Sequence, residues 1–254
     1  MGIILSIRNV SKMFGGVHAL NELEIDVEKG NIHGLIGPNG SGKTTLFNVI
    51  SGILSPTSGE IFYKQSNITN MSSPMISKLG VSRTFQHAHV IPSSDCVENV
   101  MQSMYCHAKR DILNTYFNLP FRSSKQEKEM HDRALYLLDF VGMIEFADKW
   151  ADELVWAQTQ LLQMARALAS EPDLLLLDEP TAGMGEEETQ AVEDIILKIR
   201  NTGVTIVLVS HSVRSVMKMS DYVTAIDFGH KISEGKPVQV HNDEKVIEAY
   251  IGKG

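Results

Sequence analysis

Cysteine is nearly absent: the 254 residues hold only Cys96 and Cys106. Their spacing matches neither a metal site nor a redox pair. A disulfide framework is therefore excluded, and reduced thiols of a cytosolic chain are expected. Basic residues are outnumbered, 23 Lys and Arg against 31 Asp and Glu, for a net charge of −8. With no basic excess, nucleic acid is not expected as a partner. No apolar run reaches the roughly 18 residues of a membrane-spanning helix. The opening Met1-Gly2-Ile3-Ile4-Leu5 lacks the basic start and long apolar stretch of a secretory signal. Met1-Gly2 with Ser6 is read as a chance match to a myristoylation start. Internal repeats and low-complexity tracts are also missing. What remains is an ordinary globular composition, 43% hydrophobic and 21% charged. That is enough for a sizeable core in one large domain or two small ones.

The most informative segment present is Gly37-Pro38-Asn39-Gly40-Ser41-Gly42-Lys43-Thr44, a complete G-x-x-x-x-G-K-[ST] phosphate loop. Ile32 to Ile36 before it reads as a strand, and Thr44 to Ser51 after it as a helix, which is the context the motif requires. Gly40 and Gly42 let backbone N–H groups turn toward phosphate oxygens, and the helix N-terminus adds partial positive charge. Lys43 would reach the β- and γ-phosphates, and the Thr44 hydroxyl would bind Mg²⁺.

Around this loop the chain alternates in character. Leu23, Ile25 and Val27 interleave with Glu24, Asp26 and Glu28, the period of a half-buried strand, so the first thirty residues read as antiparallel strands. Lys29-Gly30-Asn31 is a turn, and Gly52 caps the loop helix. Pro56 to Gly59 is another turn, followed by a strand over Glu60 to Lys64. Strand signals vanish over about 88–160. There Val97, Val100, Met101 and Met104 fit one helix face, and Leu135, Leu138 and Val141 another, with a loop expected over Asn118 to Lys125. From Leu161 the α/β pattern returns. Leu174 to Leu177 is an apolar run suited to a strand covered on both faces. Glu186 to Arg200 is a helix with Val192, Ile195, Ile196 and Ile199 on one side, stopped by Asn201-Thr202-Gly203. Val204 to Val209 is a second buried strand.

Asp178-Glu179-Pro180 closes the first of these strands. Alone it is an acidic turn. With a phosphate loop upstream, it reads as an active-site pair, because ligands gather at the carboxyl ends of strands in such sheets. Asp178 would hold Mg²⁺ directly or through water, and Glu179 would polarise an attacking water as general base. His211, at the end of the next strand, is either a donor to the γ-phosphate or a structural histidine. Gln86, after a strand over Val81 to Phe85, is either an orienter of water or Mg²⁺ or a surface glutamine. Phe14 either stacks on adenine or packs in the core.

Taken together, these residues resemble an ATP-binding cassette (ABC) transporter ATPase over essentially the whole chain. In that resemblance Gly37 to Thr44 is Walker A, Leu174 to Asp178 is Walker B, Gln86 is the Q-loop residue, Glu179 the catalytic glutamate and His211 the switch histidine. Thr45 joins the nucleotide-binding run, and Phe14 falls at the adenine-stacking position. Three strings look like the LivG-type cassette of branched-chain amino-acid importers: Phe14 to Leu20, Val81 to His87, and Asp227-Phe228-Gly229 on through Ile247 to Gly252. Related cassettes move urea, short amides or lipopolysaccharide. The resemblance implies a P-loop α/β fold with an antiparallel β subdomain, a core over 1–87 and 161–254, and an inserted helical subdomain over 88–160. It implies ATP and Mg²⁺ as cofactors. It also implies a place at the cytoplasmic face of the membrane beside transmembrane permease subunits, served by a solute-binding protein. Such cassettes work in pairs, with ATP between Walker A of one and the LSGGQ signature of the other. A groove near Gln86 and the helical subdomain receives the permease.

The chain departs from that pattern at one place above all. Its signature position reads Leu154-Val155-Trp156-Ala157-Gln158. Val155 lacks the serine hydroxyl that would bond the partner's γ-phosphate, a hydrogen bond to a charged group worth roughly 1.5–3 kcal/mol. Ala157 puts a methyl where glycine allows close backbone approach. Gly185, in Thr181-Ala182-Gly183-Met184-Gly185, stands where Asp or Asn is usual, and Ser212 where an acidic residue is common. The chain's own nucleotide-facing set is intact, whereas what it offers a partner is degraded. Two arrangements follow: an asymmetric heterodimer in which one site hydrolyses ATP and the other mostly clamps it, or a pair that tolerates the loose signature. A non-transport cassette is a third alternative.

Overall fold

A computed structural model describes residues 2–84, 90–105 and 120–251. They form two compact units, residues 1–86 with 173–254, and residues 87–172.

The first unit is built on two sheets. In one, β1 (Ile3–Phe14) pairs antiparallel with β2 (Val17–Glu28) and with β4 (Ser58–Tyr63), and β5 (Ser66–Asn67) closes the order β2-β1-β4-β5. Leu23, Ile25 and Val27 of β2 are buried and Glu24 and Glu28 exposed, as the alternation required. Strand β4 starts at Ser58 rather than Glu60, because Ser58 already pairs with Ser11 of β1. The other sheet has the order β10-β9-β3-β8-β7-β6 among the described residues. It comprises β3 (Ile32–Ile36), β6 (Val81–Arg83), β7 (Leu174–Asp178), β8 (Thr205–Val209), β9 (Tyr222–Asp227) and β10 (His230–Gly235). All neighbours in it are parallel except β10 on β9. Every residue of β3, β7 and β8 is buried, which is why β7 and β8 read as apolar runs, while β3 carries His33 within its buried span. Parallel pairing brings the carboxyl ends of β3, β7 and β8, and hence Gly37, Glu179 and His211, to one edge.

Helix α1 (Lys43–Ile50) follows β3, and Gly52 leaves it in a left-handed conformation at φ 69°. Its Leu46, Phe47, Val49 and Ile50 join Leu5, Ile7, Leu23, Ile61, Tyr63, Leu174, Leu176 and Val209 in one core that unites both sheets. Each such side chain contributes about 1.5–3 kcal/mol by leaving water. Helix α2 (Ser73–Lys78) precedes β6. Helices α6 (Glu186–Asn201) and α7 (Val213–Met219) flank β8 in sequence, and α8 (Pro237–His241) and α9 (Glu244–Ile251) end the described chain. On α6, Val192, Ile196 and Ile199 are fully buried, while Ile195 is only half-buried.

In the second unit α3 (Cys96–Tyr105), α4 (Pro120–Phe140) and α5 (Trp156–Leu168) pack on one another. The expected loop over Asn118 to Lys125 is helical from Pro120 onward. A proline is well accommodated in a first helical turn, and Lys125-Gln126-Glu127-Lys128-Glu129 are good helix formers that carry the helix on. The buried face of α4 is Ala134, Leu137 and Leu138, with Val141 just beyond it and Leu135 at the margin. The return to the α/β core also comes later than Leu161. That residue lies inside α5, whose Leu162 and Ala165 are buried in the helical unit. Asn99 fixes the entry to α3: its Nδ2 donates to the carbonyls of Ile91 (3.1 Å), Ser94 (3.2 Å) and Asp95 (2.9 Å). Cys96 is a buried free thiol whose pKa burial pushes up to about 11. Cys106 and Gln86 lie outside the described residues.

Candidate active site

The phosphate loop is held from outside by its carbonyl and first amide groups. Lys43 Nζ donates to the carbonyls of Gly37 (2.7 Å) and Pro38 (2.9 Å). Gly229 N donates to Ser41 O at 2.9 Å, and Gly37 N to the Tyr250 hydroxyl at 2.8 Å. The first amides of α1 have no carbonyl one turn earlier in the helix to bond, as at any helix start. Gly40, at φ 79°, has nothing within 4 Å of where a Cβ would stand, so that side of the loop is open. Gly42, at φ 109°, is needed for a second reason, since a Cβ there would come within 2.5 Å of Ala19 O on β2. Ser41 Oγ is buried and has no hydrogen-bond partner among the described residues. Burial lowers the pKa of Lys43, opposed by the carboxylates of Glu179 and Asp178.

Asp178 ends β7 and is 3% exposed. Its Oδ2 accepts from Arg83 Nη2 at 2.8 Å. Glu179 follows at φ 56°, its amide donating to Val209 O at 2.9 Å. That bond turns the chain at the strand end, leaving the Glu179 side chain 3% exposed beside His211. His211 Nε2 lies 3.0 Å from Glu179 Oε1, and His211 N donates to Glu179 Oε2 at 3.3 Å. Burial raises the carboxyl pKa of Glu179, and the imidazole is the main influence pulling it back. A buried carboxylate of raised basicity, touching a half-exposed histidine, is suited to taking a proton from water.

Phe14 stands at the end of β1, 48% exposed, with Lys12 Nζ 5.3 Å from the ring centre. It is therefore not a core side chain. In the helical unit Val155 occupies the N-cap of α5. Its amide donates to Gln158 Oε1 at 3.2 Å, but valine has no oxygen with which to return the bond. Val155 and Trp156 are both exposed. Gly185 caps α6, its amide donating to Glu188 Oε2 at 3.1 Å. Ser212 caps α7, its Oγ accepting from Ser215 N at 3.2 Å, which gives this serine a structural reason.

Two residues escaped the sequence reasoning as functional groups. Tyr250 lies in the string Ile247 to Gly252 and Arg83 in Val81 to His87, yet their partners are 213 and 95 residues away. No local signal announces either contact.

Comparison with known proteins gives this geometry its class. The ABC transporter family model matches residues 20–182, and the chain belongs to this family of ATP-binding cassettes, which hydrolyse ATP. It is 33% identical to the high-affinity branched-chain amino acid transport ATP-binding protein LivG of Escherichia coli, over 98% of each chain. It is 35% identical to BraF of Pseudomonas aeruginosa, a protein of the same description, again over 98% of each. Among solved structures it resembles the ADP conformation of MJ1267, an ATP-binding cassette of an ABC transporter, with a TM-score of 0.86, 31% identity and full coverage of both chains. The fold and family implied by the motifs are thus those observed.

Proposed function

We propose that this chain is the ATP-hydrolysing subunit of an importer for branched-chain amino acids, working at the cytoplasmic face of a membrane. No described helix is long and apolar enough to cross a membrane, so the pore is assigned to permease subunits. The relatives named for branched-chain amino-acid transport, alike over nearly the full length, support the solute class. A second cassette would complete the pair, and a solute-binding protein would serve the permease.

In this reading the amides of Gly40 to Thr45 and the Lys43 ammonium hold the phosphates, and Phe14 stacks on the base. Glu179 takes the proton of the attacking water as its oxygen bonds to the γ-phosphorus, in line with the breaking bond to the β–γ bridging oxygen, which leaves on ADP with the electron pair. His211 steadies Glu179 and the γ-phosphate region. Gln86 orients the water by its place in the family pattern. The Thr44 hydroxyl and the Asp178 carboxylate are hard oxygen donors that fit Mg²⁺, an ion usually held by a few protein oxygens, phosphates and waters. Mg²⁺, when bound, neutralises charge developing on the β- and γ-oxygens.

The observation that carries this reading is the buried Glu179 carboxylate 3.0 Å from His211 Nε2. Glu179→Gln, in the complex with its membrane partners, should lower ATP turnover by roughly 10²–10⁴-fold and abolish uptake while ATP still binds. Turnover and uptake near the wild-type rate would instead make this chain an ATP clamp. Val155, with no hydroxyl at the head of α5, favours an accompanying asymmetry, in which the partner's site turns over slowly.

A further inference from the structure

Asp178 is almost fully buried, and a buried carboxylate without a counter-charge is costly. Its counter-charge is Arg83, whose side chain is itself only 7% exposed. The sheet register explains the meeting. Arg83 of β6 pairs with Leu176 of β7, so Asp178 is two residues further along the neighbouring strand and on the same face. The other arm of the guanidinium points to α1. Nη1 donates to Asn48 Oδ1 at 2.7 Å and to Ser51 Oγ at 3.2 Å, and the group lies 5.5 Å from the centre of the Phe47 ring. One rigid fork therefore joins the helix that follows the phosphate loop to the carboxylate at the end of β7.

We propose that Arg83 is the positioning residue for Asp178, and that its fork between α1 and β7 sets how tightly the site takes Mg²⁺. The inference rests on the reading of Thr44 and Asp178 as the magnesium-holding oxygens. Arg83 occupies Oδ2 and leaves Oδ1 as the oxygen for the ion or its water. Thr44 lies in the first turn of the same α1 that carries Asn48 and is closed by Ser51, so the fork fixes the two donors relative to each other. Charge alone does not accomplish this. A lysine ammonium keeps the charge but is a point donor on a flexible stem, unable to span both partners with fixed geometry. Groups that orient a metal ligand typically change metal affinity about 10–100-fold when lost.

The test is equilibrium binding of a fluorescent ATP analogue to the purified chain, once with MgCl₂ and once with EDTA, beside the melting temperature. Arg83→Lys should raise Kd about tenfold in magnesium and leave it within about twofold in EDTA. Asn48→Ala, which keeps the arginine and its bond to Ser51 but removes the shorter bond of Nη1, should give a smaller shift confined to magnesium. Asp178→Asn should shift at least as far as Arg83→Lys. Equal weakening with and without magnesium, or no change in Arg83→Lys, overturns the positioning role. Asn48→Ala decides the matter should Arg83→Lys not fold, and a Kd unchanged in magnesium then overturns it. An Asp178→Asn shift without either of the others removes Arg83's role alone. An Asp178→Asn protein with unaltered magnesium dependence removes the reading of Asp178 as a metal ligand as well.

Discussion

Phe228 has φ 43° and is 81% exposed, at the tip of the hairpin between β9 and β10. Left-handed backbone costs a residue with a Cβ roughly 1–2 kcal/mol, and a phenyl ring has no local hydrogen bond to offset it. Asparagine can make one, and Asn-Gly is the favoured pair for a two-residue hairpin turn. Phe228→Asn should therefore stabilise the chain by about 1 kcal/mol, read as a higher urea midpoint. ATP affinity should not move, because Gly229, which bonds Ser41 O of the phosphate loop, is untouched. A lower midpoint would refute the strain argument. Glu179 shows the same backbone feature with a different outcome. Its positive φ comes with the amide bond to Val209 and the contact with His211, so removing the side chain there would cost function. Left-handed non-glycine residues often mark functional sites, but the partners each one holds decide the matter.

At the scale of elements, α5 begins badly. Val155 supplies no side-chain acceptor, and replacing a poor N-cap by serine is commonly worth about 1 kcal/mol. Val155→Ser with Ala157→Gly should raise ATP turnover of the reconstituted complex by restoring a hydroxyl and close backbone approach at the partner's nucleotide. An unchanged rate would sink the asymmetric reading and show that the loose signature is sufficient. The elements also show what could be read from the chain. Strands β7 and β8 were legible because burial on both faces leaves apolar runs, β3 because it stands directly before the phosphate loop, and β2 because burial on one face leaves alternation. The phosphate loop was legible because its chemistry is contiguous. Helix α4 was misread at its start because Asn118 to Lys125 contains a proline among polar residues, which signals a turn as readily as a first helical turn. The pairing of Arg83 with Asp178 and Asn48 was invisible, since it arises from the register of β6 on β7 and the packing of α1. Tyr250 was quoted as part of a string, but nothing local ties a tyrosine near the end of the chain to Gly37.

At the scale of the whole molecule, His33 couples folding to pH. It sits inside β3, 2% exposed, its Nε2 2.9 Å from Thr224 Oγ1, its ring 5.6 Å from that of Tyr222. Burial, helped by Lys231, lowers its pKa from 6.5 to about 4. The unfolded chain therefore takes up this proton first as pH falls. Stability from the neutral ring is complete above pH 6.5 and is lost progressively down to about pH 4. A shift of that size corresponds to roughly 3 kcal/mol, a large part of the 5–15 kcal/mol typical of a folded domain. Glu179, whose pKa burial raises, works in the opposite direction, since the folded state holds its proton more firmly. Comparing wild type with His33→Gln cancels that contribution, because both proteins share it. Glutamine keeps an amide able to reach Thr224 but cannot titrate. Its urea midpoint should be lower than wild type at pH 7.5, where the shape of the ring is lost, and the gap should close as pH falls toward 4. Parallel curves across that range would mean that His33 does not titrate with folding, and that the acid sensitivity of the fold comes from its carboxylates.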